Sequence, residues 1–296
     1  MTINDFKPLA IEDKPVFDRF FRDDPPQISE MTFTNLFMWR RHYHPVWMER
    51  EGCLLVLFRP QPGPIYGLPP VGKGDKAGAL STLCAAIGAV SREIRVCRAA
   101  EDFVTTFVDA SVYISRPDRD NSDYVYRTDD LIHLSGNKYH RKKNHFNQFV
   151  RKNDFEYRPL DGDLVEKVML MQESWCRMRE CVINPELLAE DFAVREALTC
   201  FDALSFQGGA ILIDGRVEAF SLGEALNRDT AVIHIEKANP HISGIYAAIN
   251  QIFCKEAWSA FTYINREQDM GVEGLRKAKE SYFPHHRVNK YTLMPK

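Results

Sequence analysis

Residues 261–284 read as a strand, a polar loop and a helix in direct succession, an order that belongs to layered α/β architecture. Phe261, Tyr263 and Ile264 form the apolar strand, and Asn265, Arg266, Glu267, Gln268 and Asp269 fill the loop. Beyond Gly271, the residues Val272, Leu275, Ala278 and Tyr282 recur along one side of a helix among lysines and arginines, until Pro284 stops it. A strand that delivers polar side chains at its carboxyl end is how α/β enzymes commonly build a site. The plain alternative is a solvated turn with surface ion pairs.

The residues before this run extend the pattern. Helical periodicity covers 164–179 and 186–200, with Asn184-Pro185 as the break. Strands at 208–213 and 216–223 flank Asp214-Gly215, a strong hairpin signal, and a third strand covers 230–237. A helix at 243–258 precedes the 261–284 run, and 287–294 reads as a last strand. The order is two helices, three antiparallel strands, helix, strand, helix, strand. The first half repeats it, with helices at 15–21, 34–42, 76–87 and 101–108 and strands at 46–49, 53–58, 65–68, 94–97, 112–115 and 124–126. No residue-level repeat accompanies the repeated order. The expectation is therefore two tandem mixed α/β domains, residues 1–128 and 129–296, each a central sheet flanked by helices.

Composition removes several classes of function. With 45% hydrophobic and 27% charged residues the chain is globular. No apolar stretch reaches bilayer length, and the N-terminus lacks a signal-peptide pattern, so a cytoplasmic location is expected. Seven cysteines at irregular spacing include no CxxC, and Cys176, Cys181 and Cys200 are expected as buried thiols. The pairs His42/His44 and His285/His286 have no second cluster at ligand spacing, so no metal is expected. Residues 67–74 approach a phosphate loop, but Gly74 replaces the magnesium-binding hydroxyl and Pro69 and Pro70 lack N–H donors. That segment reads as a turn.

The net charge of −3 hides one strong asymmetry. Residues 136–152 hold six lysines and arginines, two histidines and no acid. Tyr139, Lys142 or Lys143, Phe146, Phe149 and Val150 mark a packing side, leaving a dense positive face. A solvated helix usually mixes signs to gain i,i+4 pairs, so the unmixed charge points to a polyanion: RNA, anionic head groups or a phosphorylated donor.

The order of elements resembles the N-acetyltransferase superfold (GNAT), which implies splayed central strands and a helix whose free N–H groups meet the donor's phosphates. The corresponding turn holds Asn239, Ser243 and Gly244, with one glycine and a proline where an acyl-coenzyme A loop has several small residues. Residues 134–145 (LSGNKYHRKKNH) and 265–282 (NREQDMGVEGLRKAKESY) resemble a bacterial family similar to the C-terminal catalytic domain of phosphatidylglycerol lysyltransferase. The resemblance implies two tandem acyl-CoA N-acyltransferase-like domains. It also implies transfer of an aminoacyl or acyl group from aminoacyl-tRNA or acyl-CoA to an amine or hydroxyl, with no tightly bound cofactor. The lysyltransferase carries a membrane-embedded half with no counterpart in these residues, so the acceptor expected here is a small-molecule or peptide amine.

Such transfer needs a base, oxyanion stabilisation and a proton for the leaving group. Period two along 230–237 places Val232, His234 and Glu236 on one face, making Glu236 or His234 a candidate base, with Glu224 on the neighbouring strand as a third. His234 reads equally as a satisfied core histidine. Tyr282 is a candidate proton donor or a chain anchor. Asn265, Arg266, Glu267 and Asp269 are candidate substrate ligands. Lys138, Arg141, Lys142, Lys143, Asn239, Ser243, Gly244, Arg276 and Lys279 are candidates for holding the donor or another polyanion such as tRNA. The first half offers few convergent polar groups and is expected to be a scaffold. A tandem repeat already supplies a pseudo-dimer, so a monomer is expected. The competing expectation is a non-catalytic module that binds RNA or an anionic surface through the 136–152 helix.

Overall fold

The computed structural model describes residues 2–296, which form two compact units. The first unit runs to Asp123 and also holds Gln268–Gly271 and Arg287–Lys296; the second comprises Tyr124–Glu267 and Val272–His286. The chain thus changes unit several times, where the sequence suggests a single boundary near residue 128.

The strands are β1 (Lys7–Pro8), β2 (Val46–Arg50), β3 (Cys53–Phe58), β4 (Tyr66–Gly67), β5 (Val71–Gly72), β6 (Val96–Ala100) and β7 (Tyr113–Pro117). There follow β8 (Asp123–Arg127), β9 (Glu156–Pro159), β10 (Gln207–Ile213), β11 (Arg216–Ala225), β12 (Thr230–Ala238), β13 (Tyr263–Asn265), β14 (His286–Val288) and β15 (Lys290–Pro295). One mixed sheet has the order β1-β2-β3-β4-β6-β15-β7, with β5 also on β3; the other runs β14-β8-β13-β12-β11-β10-β9.

Two strands lie in the sheet opposite to the one their sequence position suggests. The segment 124–126 reads as the end of the first half, yet β8 pairs antiparallel with β13 in the second sheet. The segment 287–294 reads as the end of the second half, yet β15 lies antiparallel between β6 and β7 in the first. Alternation of apolar residues predicts a strand but carries no information on which edge it joins.

The first unit's core gathers Leu55 and Leu57 of β3, Leu80, Leu83 and Ile87 of the helix Lys76–Gly88, Val96, Phe103 and Leu293. In the second unit the central helix (Ile245–Trp258) buries Ile245, Ala247, Ala248, Ile249, Phe253, Cys254 and Trp258. Its alanines let the backbone lie close to the sheet, while Phe253 and Trp258 each bring roughly 1.5–3 kcal/mol of burial. One residue on this buried face is polar: Asn250. The paired helices Gly162–Met178 and Pro185–Thr199 pack together, and the first of them also packs on β11 and β12.

Cys176 and Cys181 form a disulfide, contrary to the expectation of two thiols. The chain turns back sharply after Met178 through Glu180 in a left-handed conformation (φ 51°), and that turn brings the two sulfurs together. Cys200 is half-buried and lies outside that disulfide. No helix among the described residues is long and apolar enough to cross a membrane.

Candidate functional site

The site is set by what happens along β12. It pairs parallel with β13 only through Thr230, Ala231 and Val232. From residue 233 onward that edge of β12 has no strand partner, so the two strands part. Backbone donors and acceptors on a parted edge are available to a ligand in a way that a paired edge is not. On the other side, β12 pairs with β11 through a bulge: Leu222 faces Ile235 and Gly223 faces Ile233, leaving His234 as the extra residue. Gly223 is required there, because a Cβ would lie 2.5 Å from the Val232 carbonyl oxygen.

A bulge reverses the alternation beyond it. Ala231 and Ile233 pack with Phe253 of the central helix, and after the bulge Ala238 returns to that helix while Lys237 turns to the paired helices. The expected common face of Val232, His234 and Glu236 is therefore divided. His234 meets Glu224 and Glu267, and Glu236 meets the central helix.

His234 is enclosed between two carboxylates, with Nε2 2.9 Å from Glu224 Oε1 and Nδ1 2.7 Å from Glu267 Oε1. Ionised carboxylates only accept, so both ring nitrogens donate and the ring is an imidazolium. Burial alone would push its pKa down, but the hydrogen bonds to Glu224 and Glu267 outweigh burial and hold it at about 10. A ring that is already protonated at neutral pH is no general base. It braces the two glutamates.

Glu236 accepts from Arg266 Nη2 at 3.0 Å and from Asn250 Nδ2 at 3.0 Å. The Arg266 guanidinium lies 4.9 Å from the Tyr282 ring and 5.7 Å from the Tyr126 ring. Burial would lower the pKa of Arg266, but Glu236 raises it, so the guanidinium is permanently charged. Burial lifts the Tyr282 phenol well above its ordinary value, which keeps it protonated. Two polar atoms of this group, Arg266 Nη1 and Asn250 Oδ1, are buried without a hydrogen-bond partner. Orphaned buried donors and acceptors are rare and costly unless a ligand meets them.

The remaining candidates fall into separate places. Asn265 is buried and accepts from the Glu267 amide at 2.8 Å, which shapes the loop. Asp269 belongs to the first unit, fully enclosed, 3.0 Å from Arg119 and capping the Gly271 amide at 2.9 Å. Its carboxylate is thus engaged by Arg119 and the Gly271 amide. In the basic helix (His140–Lys152) Arg141 and Lys143 are exposed, and Phe149 is buried, whereas Val150 lies on the solvent side instead of packing. Lys138 lies over the Tyr139 and Phe283 rings, and Lys142 lies over the Tyr282 ring at 3.9 Å. In the last helix (Glu273–Glu280) Arg276 is half-buried, and Lys279 donates to the Arg266 carbonyl, which fixes the loop. Asn239 Nδ2 donates to Glu218 at 2.8 Å, Ser243 is exposed, and Gly244 adopts φ 84° against the basic helix. A Cβ at Gly244 would lie 2.2 Å from the His145 carbonyl oxygen, so that turn is locked to the helix.

Sequence reasoning missed Asn250, Tyr126 and the inward turn of Lys142. A lone asparagine on the apolar face of 243–258 was the available signal for Asn250. Nothing in the sequence distinguishes Tyr126 from a core tyrosine. Among the described residues no group of three or more His, Cys, Asp or Glu is arranged to hold a metal ion.

Two mixed sheets flanked by helices, with β12 parting from β13 beside a bulged strand in the second, make a tandem acyltransferase-type fold. FemX has that same fold, with a TM-score of 0.59 at 8% identity over 96% of each chain. The chain belongs to the family described as phosphatidylglycerol lysyltransferase, C-terminal, whose pattern matches residues 22–294. A conserved protein of unknown function from Bacteroides thetaiotaomicron VPI-5482 is similar over 100% of both chains, with 30% identity and a TM-score of 0.92. L-PGS from Bacillus licheniformis shares the fold at 12% identity and a TM-score of 0.66, over 95% of this chain and 91% of its own. No curated protein matches the chain at the level of sequence.

Proposed function

We propose that the second unit is an acyltransferase that moves an aminoacyl or acyl group from a carrier, aminoacyl-tRNA or acyl-CoA, to an amine or hydroxyl. The observation that carries this reading is the pair of orphaned atoms, Arg266 Nη1 and Asn250 Oδ1, beside Glu236 at the parted edge of β12. A buried guanidinium donor held by a carboxylate and two aromatic rings is preorganised for a carbonyl oxygen that gains negative charge, and it needs no rearrangement when that charge develops. Glu236 then orients Arg266, and the braced pair Glu224 and Glu267 sets the loop from which Arg266 projects. Tyr282, held protonated, can donate a hydrogen bond within the site. Family membership supports the same class of chemistry.

The exposed cations Arg141, Lys143, Arg151 and Lys152 favour a polyanionic carrier over a small thioester. The test is incubation with charged tRNA or acyl-CoA and a panel of amines and alcohols, with product detected by mass spectrometry. Transfer by the wild type, lost in Arg266→Met and Glu236→Gln while folding is kept, is the expected result. Absence of transfer from both donor classes across the panel sinks the reading. Binding of tRNA without any turnover, weakened alike by reversing Arg141 and Lys143 and by added salt, would instead make this a polyanion-binding module.

A further inference from the structure

Lys142 belongs to the most basic segment of the chain, but its ammonium does not sit with the exposed cations. It lies 3.9 Å from the centroid of the Tyr282 ring, and the Arg266 guanidinium lies 4.9 Å from that same ring. Two cations thus share one buried phenol. Arg266 is also pinned by Glu236 at 3.0 Å and cannot lose its proton in a protein. Lys142 can. Where two like charges crowd a partly desolvated space, the weaker one is the one to go.

We propose that Lys142 is the general base of the transfer reaction. This rests on the acyltransferase reading above and adds the group that Glu236 and His234 do not supply. Glu236 is committed to Arg266 and Asn250, and His234 is already protonated. In the proposed step the acceptor nitrogen forms a bond to the acyl carbon and gives a proton to the neutral Lys142 Nζ. The ester C–O bond of a tRNA carrier, or the C–S bond of a thioester, then breaks. The proton passes from Lys142 to the departing oxygen or sulfur, so the amine ends neutral.

The charged and titratable surroundings of Lys142 come from every element around it. Arg266 follows β13, Glu236 is on β12, Tyr282 follows the last helix, and Arg141 precedes Lys142 on its own helix, while Tyr126 on β8 and Cys254 on the central helix surround Arg266. Burial and then Arg266 bring the Lys142 pKa down to about 8, Arg141 adds to this, and Glu236 opposes it. About a tenth of such an amine is neutral at pH 7, against well under a thousandth of an exposed lysine.

The experiment pairs two readouts on the full chain. Trace labelling with an amine-acylating reagent from pH 6.5 to 11, followed by peptide mass mapping, reads the protonation of each lysine with no need of substrate. Lys142 should show a midpoint near 8. In the transfer assay, kcat/KM should rise with pH through about 8. Lys142→Arg keeps the positive charge and removes the base, so it should lower kcat about a hundredfold or more and abolish that limb, with KM for the carrier and Tm nearly unchanged. Wild-type rate and pH profile in Lys142→Arg would overturn the proposal and leave the acyltransferase reading standing, because a residue that merely holds a polyanion tolerates arginine. A labelling midpoint above 10 would also overturn it. Failure of the wild type to transfer at all would remove both.

Discussion

Each unit buries a group of charges, and the two groups are closed to different degrees. In the first unit Lys290 Nζ lies 2.6 Å from both Glu30 and Asp123, and its side chain is 0% exposed. Arg98 pairs with Glu30 and Asp118 at 3.0 Å, and Ser29 donates to Asp123 at 2.9 Å. Three carboxylates face two cations, and burial with Asp123 alongside raises the Glu30 pKa. In the second unit Arg266 and Glu236 each keep 14% side-chain exposure, two polar atoms lack partners, and Lys142 is only half-buried. In the first group every charge has an opposite partner, Glu30 Oε1 lying 3.0 Å from Arg98 Nε although it makes no hydrogen bond, and the group fastens β15. The second keeps two buried polar atoms without partners and more contact with solvent. A buried ion pair is weak evidence for stability and no evidence for function.

That contrast can be broken by mutation. Removing a charge from the closed group should have the largest effect. Lys290→Met removes the ion pairs of Glu30 and Asp123 with Lys290, leaving Glu30 to Arg98 and Asp123 to Ser29. It should cost about 3–5 kcal/mol in urea unfolding, whereas Lys142→Gln should leave the unfolding midpoint nearly unchanged. Equal losses in the two variants would erase the distinction. For the open group the loss should appear in rate. Arg266→Lys should lower kcat about a hundredfold or more at unchanged Tm, since an ammonium cannot hold Glu236 and still direct a second donor. Asp269→Ala tests the boundary between the two roles: it removes the ion pair with Arg119 and the bond to the Gly271 amide. It should cost about 2 kcal/mol, with any loss of activity following the loss of folded protein. Activity lost at full stability would return Asp269 to the site.

His234 provides a subtler test through pH. Its folded pKa is raised, to about 10, above the unfolded value near 6.5. Its stabilising contribution is therefore complete below about pH 6.5, declines as pH rises and is gone above about 10. The stability gap between wild type and His234→Gln should shrink between pH 6 and pH 10; a gap that widens would mean that the ring is not a charged brace. The smallest effect is expected at Lys73, exposed and 3.9 Å from Asp23. Lys73→Ala should stay within about 0.5 kcal/mol of wild type and leave activity intact.

Much of the fold was legible in the residues. The hairpin at Asp214-Gly215, the helices on either side of Asn184-Pro185 and the strand before Asn265 all lie where local chemistry puts them. The polar loop after β13 was legible as a cluster of polar side chains, and Glu236, Arg266 and Tyr282 come together there. The roles within it were less legible. Nothing in the repeat of alternating residues around His234 announces an extra residue, because a bulge depends on the partner strand. The pairing of Cys176 with Cys181 follows from a turn at Glu180 that no CxxC-type spacing signals.

The sequence by itself determined the elements, their order, the family and the basic character of the 136–152 helix, because propensity, turn chemistry and charge are local properties. Tertiary structure alone decided that β8 and β15 sit in each other's expected sheets, since edge pairing depends on which backbone donors and acceptors are near, not on side-chain pattern. It also decided that, of two adjacent lysines, Lys143 faces solvent and Lys142 lies over Tyr282. A helical step of one residue turns a side chain by about 100°, and only the packing partner fixes where that rotation begins.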